Sequence, residues 1–229
     1  MSKYIIACVH EWNIQFFQEY FGANSNFVLI SKPEELTIDR LDQVNPRYIF
    51  FPHWSWIVPD DIVQKFECIC FHMTDLPYGR GGSPLQNLIL HKKQETMLSV
   101  IKMTSVLDEG PIYMKVKVSL KGRAEEIYRN VSRVSFDLIK HMVEVGKLTH
   151  YPQSGQVVKF RRRKPSESEL FFKGKSLEDV YDFIRMLDSP GYPHAFINID
   201  NFKISFSHVS IDQKTKSING NFKLSLRGE

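Results

Sequence analysis

The feature that most constrains the fold of this chain is the alternation of short apolar runs with amphipathic stretches over its first third. Buried parallel strands leave continuous apolar runs in a sequence. Runs that alternate with helix-like stretches favour a doubly wound, mostly parallel sheet covered by helices. The predicted fold class is therefore α/β. The strand-like runs are residues 4–9, 27–30, 47–52 and 67–71, and the helix-like stretches are residues 11–20, 33–41 and 60–66.

His72 directly follows the fourth apolar run. In open α/β sheets, ligands bind in the crevice outside the carboxyl ends of the strands. The turn-rich segment 76–84 is then predicted to be a loop over that crevice. A lone histidine at a strand end is more often structural than catalytic, so the interpretation of His72 depends on its neighbours.

Composition places the chain among ordinary globular proteins, with 42% hydrophobic and 24% charged residues. A formal charge of +4 is too small to indicate nucleic-acid binding. Three cysteines in apolar runs indicate reduced core residues rather than a disulfide framework. No window is apolar enough for a membrane span. We therefore expect a cytoplasmic protein with no nucleic-acid partner, no membrane partner and no metal site.

The character of the chain changes near Tyr151, where proline, glycine and a basic cluster replace the long helical pattern of residues 122–145. The predicted domains are a catalytic domain at 1–156 and a small α+β appendage at 157–229. Within the appendage, Ser176 is predicted to cap a helix. The remaining predictions are helix 85–91, strands 97–103 and 112–120, and appendage strands 195–199, 202–209 and 217–226.

The segments around His72 and Asp108 contain a set of motifs: His72, Leu76-Pro77, Arg80-Gly81, Ser83-Pro84, Gln86 and Leu107-Asp108-Glu109-Gly110. In this order they resemble the N10-formyltetrahydrofolate-dependent formyltransferases. The resemblance implies the Rossmann-like catalytic domain of a formyltransferase, an N-formyltransferase activity and N10-formyltetrahydrofolate as cofactor. The interval between His72 and Asp108 is similar to that in the sugar-modifying members.

The resemblance also assigns roles in the site. Formyl transfer needs a donor to the formyl oxygen and a base for the amine proton. His72 would supply one of these functions, and Asp108 would fix the imidazole ring and stabilise its charge. Trp54 could equally be a core aromatic under a loop. The residues predicted to contact the folate are Trp54, Arg80, Gly81, Met103 and Asp108.

One position departs from the family pattern. The family's asparagine, two positions before the histidine, falls on Cys70. A thiol is only a weak hydrogen-bond donor. Either another group takes over the asparagine's role, such as a backbone N–H, Ser55 or Asn87, or His72 holds the charged oxygen alone.

The appendage contains segments 160–165 and 187–196, which resemble those of nucleotide-sugar N-formyltransferases of the pseudaminic-acid pathway. The resemblance implies a UDP-linked 4-amino-4,6-dideoxy sugar as the formyl acceptor and a homodimer. Arg161 and Arg162 would pair with the pyrophosphate, and Tyr192 or Phe196 would lie against the uracil.

Two alternatives stay open at this point. One is an enzyme like methionyl-tRNA formyltransferase, for which we expect a longer C-terminal domain. The other is a non-catalytic protein that binds folate or a nucleotide sugar, which the missing asparagine permits.

Overall fold

The computed structural model describes residues 2–227. The chain forms two compact units, each built from separate stretches of sequence. The first comprises the described parts of Met1–Gly81, Thr96–Val118 and Arg129–Lys159, and the second those of Gly82–Glu95, Ser119–Tyr128 and Phe160–Glu229. These units differ from the continuous division after residue 156, which stays a prediction about functional domains.

The strands agree with the predicted runs to within a few residues, but two short strands, Tyr78–Gly81 and Val158–Phe160, were not predicted. Segment 76–84, predicted to be a loop, contains the short strand Tyr78–Gly81. In chain order the strands are β1 (Lys3–Ala7), β2 (Phe27–Ile30), β3 (Pro46–Phe51), β4 (Cys68–His72), β5 (Tyr78–Gly81), β6 (Glu95–Lys102), β7 (Ile112–Ser119), β8 (Val158–Phe160), β9 (Phe196–Ile199), β10 (Phe202–Asp212) and β11 (Ser217–Leu226).

The helices begin where the sequence provides start signals. Thr37 accepts a hydrogen bond from the Arg40 N–H at 3.4 Å, and Ser176 and Asp179 form a reciprocal capping box. The predicted helix at 33–41 is instead a short 3₁₀ turn at Pro33–Glu35 followed by a later helix. The helices are α1 (Glu11–Phe21), α2 (Ile38–Val44), α3 (Asp60–Lys65), α4 (Pro84–Leu90), α5 (Ala124–Val145) and α6 (Leu177–Arg185).

A six-stranded sheet runs in the order β2-β1-β3-β4-β6-β7. The pairs β1–β2, β1–β3 and β3–β4 are parallel, whereas β6 runs antiparallel to β4. Its central strands are buried on both faces, as their continuous apolar sequences predict. The α/β class with a mostly parallel sheet is therefore confirmed.

The core of this sheet holds the cysteines in reduced form. Cys8 and Cys68 are free and fully buried. Burial raises the pKa of both thiols to about 12, so they behave as small apolar side chains at neutral pH.

The second unit contains the small antiparallel sheet β11-β10-β9 with α6 against it. Residues 202–207 of β10 pair continuously with β11, and the register shifts between Ser207 and Ser210. The predicted small α+β appendage is confirmed in its architecture. None of the helices formed by residues 2–227 combines the length and apolar character needed to cross a bilayer.

Candidate active site

His72 is the last residue of β4, as its position after an apolar run predicts. Its side chain is only 9% exposed. The ring nitrogen Nε2 lies 2.8 Å from the carbonyl oxygen of Gly79. Because a carbonyl oxygen only accepts, Nε2 carries a proton and donates it in this contact.

The turn after β4 presents that carbonyl oxygen. Ser99 on β6 donates its hydroxyl to the Thr74 carbonyl oxygen at 2.6 Å and accepts from the Leu76 N–H at 3.3 Å. The Thr74 hydroxyl also donates to the Gly79 carbonyl oxygen, at 3.3 Å. All of these side chains are buried, so the turn holds the His72 ring in one orientation.

Asp108 lies in the connection between β6 and β7 with a left-handed backbone, φ +56°. Its Oδ1 is 3.5 Å from His72 Nδ1, and its Oδ2 accepts the Gly81 N–H at 2.8 Å. The Asp108 side chain is 8% exposed. The structure therefore brings together three of the predicted site residues, His72, Asp108 and Gly81.

Arg80 joins the same network through its guanidinium group. It forms an ion pair with Glu109 at 2.7 Å and donates to the Gln153 side-chain oxygen at 2.8 and 3.2 Å. Gln153 in turn donates to the carbonyl oxygens of Asp108 and Gly110, both at 2.8 Å. Gln153 was missed in the sequence because nothing in a polar segment indicates contacts with residues more than 40 positions away.

Cys70 lies on the same face of β4 as His72, because strand residues two apart point the same way. Its side chain packs against Leu76, Ile101 and Ile112. Burial, and then the negative charge of Asp108, raise the pKa of the Cys70 thiol. The group therefore stays a protonated, weak S–H donor.

Asn87 does not have a spare amide hydrogen to replace the family's asparagine. Its side-chain nitrogen donates to the carbonyl oxygens of Gly82, Ser83 and Arg161 at 2.9–3.3 Å. Three acceptors already share its two hydrogens. Ser55, the other side-chain candidate, is exposed in the segment after β3.

Trp54 and Met103 pack against one apolar cluster, which includes Val58. The Trp54 ring also lies edge-on to Phe51 and Trp56, with centroids 5.6 and 5.3 Å apart. Both predicted folate residues thus border a common apolar region, and their contact with folate stays a prediction.

His10 follows β1, His53 follows β3, and the two imidazole rings form a pair that was not predicted. His10 stacks on Trp12 with centroids 4.5 Å apart, and His53 lies 4.4 Å from His10. Burial, with a smaller effect of the His10 charge, lowers the pKa of His53 to about 3. Burial also lowers the pKa of His10, so this pair favours the neutral forms.

The predicted substrate residues all lie in the second unit. Arg161 forms an ion pair with Glu167 at 2.6 Å, and this pairing lowers the pKa of the Glu167 carboxyl to about 2. Arg162 is exposed. Tyr192 stacks on Tyr128 with centroids 5.3 Å apart, and Lys203 Nζ lies 4.2 Å from the Phe196 ring centre. Their roles in substrate binding stay predictions.

Comparison with models of known families shows which family this chain belongs to. A family model described as formyl transferase matches residues 23–143, which is more than half of the chain. The chain belongs to the formyl transferase family. The expectation of a formyltransferase is thereby confirmed at the level of the family. A second model, described as the methionyl-tRNA formyltransferase C-terminal domain, matches residues 165–225.

Named relatives of this formyl transferase family member are described as methionyl-tRNA formyltransferases. A methionyl-tRNA formyltransferase of Bacillus mycoides (strain KBAB4) is 30% identical over 183 residues, covering 76% of the chain and 58% of the relative. One of Malacoplasma penetrans (strain HF-2) is 24% identical, covering 92% and 64%. The chain thus spans about three fifths of the length of the curated relatives it matches.

Solved structures extend the likeness over the full chain. A methionyl-tRNA formyltransferase from Clostridium thermocellum is 39% identical with a TM-score of 0.93, covering 99% of this chain and 100% of that one. A 4-N formyltransferase from Francisella tularensis has a TM-score of 0.66 at 16% identity, covering 99% of each chain. The second likeness shows the shared fold alone.

These comparisons correct the predicted partners. A nucleotide-linked amino sugar with no nucleic-acid partner was expected, but the relatives and the C-terminal model are named for methionyl-tRNA. The expectation of no nucleic acid is wrong. It rested on a low net charge and on a short C-terminal region, yet that short region itself matches the methionyl-tRNA formyltransferase model. The placement in the pseudaminic-acid pathway has no support from these relatives.

Proposed function

We propose that this chain transfers a formyl group from N10-formyltetrahydrofolate to the amine of an aminoacyl-tRNA, with methionyl-tRNA as the acceptor. The observation that carries the proposal is the match of residues 165–225 to the C-terminal domain of methionyl-tRNA formyltransferase. The full-length likeness to the Clostridium thermocellum protein supports it.

The folate supplies an activated formyl group on N10. The α-amine of the aminoacyl ester attacks the formyl carbon, the bond from that carbon to N10 breaks, and a new amide bond forms. The amine loses a proton and N10 gains one, so the products are formyl-aminoacyl-tRNA and tetrahydrofolate. The enzyme must therefore hold the amine, move one proton and stabilise negative charge on the formyl oxygen.

One ring nitrogen of His72 is available to accept the proton of the amine. Its Nε2–H is held by the Gly79 carbonyl oxygen, so only Nδ1 remains for the reactants. The 3.5 Å separation between Nδ1 and Asp108 Oδ1 exceeds an ordinary hydrogen bond, as is common for catalytic contacts without substrate. Nδ1 is then the atom that takes the amine proton, and the Asp108 carboxylate stabilises the resulting positive ring.

The residues after β3 fit a bound pterin. The Trp54 indole N–H is buried and has no hydrogen-bond acceptor among residues 2–227. An unpaired buried donor costs free energy, and the acceptor atoms of a pterin ring would satisfy it. Met103 would contact the same ligand from the apolar cluster that it shares with Trp54.

The direct test is to incubate the full chain with N10-formyltetrahydrofolate and methionyl-tRNA, then release the amino acid and look for formyl-methionine by mass spectrometry. Free methionine and a panel of UDP- and dTDP-linked 4-amino sugars are run in parallel. Formyl-methionine from the tRNA reaction alone supports the proposal.

Two other outcomes would overturn it in different ways. Formylation of an amino sugar but not of methionyl-tRNA would reject the acceptor while keeping the transfer chemistry. Folate binding without formylation of any acceptor would reject the enzyme and favour a folate-binding protein.

A further inference from the structure

The loop that carries Asp108 makes few contacts of its own. Within residues 104–110, the Thr104 hydroxyl donates to the Val106 carbonyl oxygen at 3.0 Å, and the Glu109 N–H donates to the same oxygen at 3.3 Å. Val106 and Leu107 are 55% and 56% exposed. An exposed segment with so little packing opens easily, so the position of Asp108 has to be fixed from outside the loop.

Gln153 provides this restraint. Its amide nitrogen donates to the carbonyl oxygens of Asp108 and Gly110, which flank Glu109, at 2.8 Å each. Its amide oxygen accepts from Nη2 and Nε of Arg80. Both amide hydrogens and the oxygen are thus used, and all of the partners belong to the site or adjoin it.

Gln153 is itself held in place by the backbone on either side. Two residues earlier, Tyr151 pairs with Ile112 through two hydrogen bonds of 2.8 and 2.9 Å. Later in the segment, the Val158 N–H donates to the Pro77 carbonyl oxygen at 3.3 Å. The side chain therefore projects from an anchored stretch and acts as a fixed point for the loop that carries Asp108.

Hydrogen bonds hold Asp108 at both its backbone and its side chain. Gln153 holds the backbone carbonyl of Asp108, and the Gly81 N–H holds its carboxylate. Arg80, the neighbour of Gly81, is bound to Gln153 and to Glu109. The same contacts stabilise the left-handed backbone of Asp108, a conformation that a residue other than glycine adopts at a cost.

The geometry points to Gln153 as a positioning residue that sets the distance between Asp108 and His72. Gln153 touches neither the ring of His72 nor the Asp108 carboxylate in any contact described, so it acts through the loop. The catalytic part of this inference rests on the proposed function. The structural part, that Gln153 orders residues 104–110, does not.

The test uses two variants of Gln153 and a matched control. Gln153→Met keeps the size and removes every hydrogen bond, whereas Gln153→Glu keeps the acceptor for Arg80 and removes the donors to Asp108 and Gly110. Gln156→Met is the control, because Gln156 is exposed three positions further along the same segment. Melting curves for all three establish that each variant is folded.

The first measurement needs no catalysis. Amide hydrogen exchange of Gly81 and of residues 104–110 should become faster in both Gln153 variants and stay unchanged in Gln156→Met. Exchange that is equal in all three proteins would overturn the inference, whether or not the chain proves to be a formyltransferase.

The second measurement separates positioning from general destabilisation. With active protein, kcat should fall on the order of 10²-fold in Gln153→Met, since misplacement by about 1 Å has that effect, while KM for the formyl donor hardly changes. In an Asp108→Asn background, Gln153→Met should cause little further loss. Losses that multiply in the double variant would show that Gln153 does not act through Asp108, and would overturn its positioning role.

Discussion

In the first unit the polar groups around His72 are enclosed and joined to one another, whereas Arg161 and Glu167 of the second unit form an ion pair in which Arg161 is largely exposed. His72 and Asp108 are each less than one tenth exposed. Arg161, by contrast, is 71% exposed beside its partner Glu167. The His72–Asp108 pair and the Arg161–Glu167 pair therefore lie in different dielectric environments.

The difference has a chemical consequence. An enclosed network holds donors and acceptors in fixed positions, which acyl transfer requires. Exposed charges are screened and adaptable, and they suit the binding of a large anionic partner by many weak contacts. We therefore expect changes in the enclosed network of the first unit to affect formyl transfer, and changes at exposed charges of the second unit to affect the binding of a partner.

We expect the largest effect at His72 and Asp108, the proposed catalytic pair. His72→Asn and Asp108→Asn should each lower kcat by about 10²–10³-fold, equivalent to about 3–4 kcal/mol of barrier, because a fixed donor or its orienting charge is lost. Steady-state kinetics of formyl transfer measures this. His141→Asn, an exposed histidine on α5 of the same unit, is the control, and a similar loss in that variant would contradict the assignment.

Gly110→Ala should distort the Asp108 loop through the backbone. An added Cβ at Gly110 would come within 1.6 Å of the Lys102 carbonyl oxygen, so the loop must move. We expect a loss of about 1–3 kcal/mol in the free energy of unfolding, measured by chemical denaturation, together with a fall in kcat.

Gly174→Ala is the comparison variant for this prediction. Among residues 2–227, no atom beyond the two chain neighbours lies within 4 Å of an added Cβ there, although φ is +73°, so only backbone strain is tested. Full activity in Gly110→Ala would show that the loop is less constrained than its contacts indicate.

Acid should destabilise the first unit through His53. The unfolded chain takes up a proton near the ordinary pKa of 6.5, but the folded chain does not until about pH 3. The unfolded state therefore binds more protons in this window, so stability is complete above pH 6.5 and falls as the pH is lowered toward 3. Denaturation curves at a series of pH values should show a shallower decline in His53→Asn, and identical pH dependence in the two proteins would refute this account.

The smallest effect on the fold is expected at the surface of the second unit. Arg162→Ala should leave the melting temperature and kcat unchanged, because the side chain is exposed. If the partner is tRNA, the variant should bind it more weakly, and the slope of log K against log salt should decrease by about 1. Unchanged binding would remove Arg162 from the proposed tRNA surface.

Much of the architecture could be predicted because local patterns reflect burial directly. The apolar run before His72 forms β4, and Ser176, predicted to cap a helix, forms a capping box with Asp179. The strand β5 was missed because its sequence, Tyr-Gly-Arg-Gly, reads as a turn. Its extended form depends on tertiary pairing rather than on propensity.

Residues of the candidate site could be predicted only where they belong to a family motif. His72, Asp108 and Gly81 came from a family pattern, and the structure places them together. Gln153 belonged to no pattern, because it acquires its significance from neighbours far along the chain. The expectation of no nucleic-acid partner was wrong because net charge is an average over the whole chain and does not describe a binding surface, and because a short C-terminal region can still match the methionyl-tRNA formyltransferase model.

The sequence by itself determined most of the strands and helices, the placement of His72 at a strand end and the reduced state of the cysteines, since periodicity and apolar runs are local consequences of burial. Only the tertiary structure decided how Asp108 is held: the left-handed backbone, the Gly81 N–H and the Gln153 amide meet there from three separate segments. Hydrogen bonds between distant segments leave no periodic trace in a sequence, because any polar residue at the right place can make them.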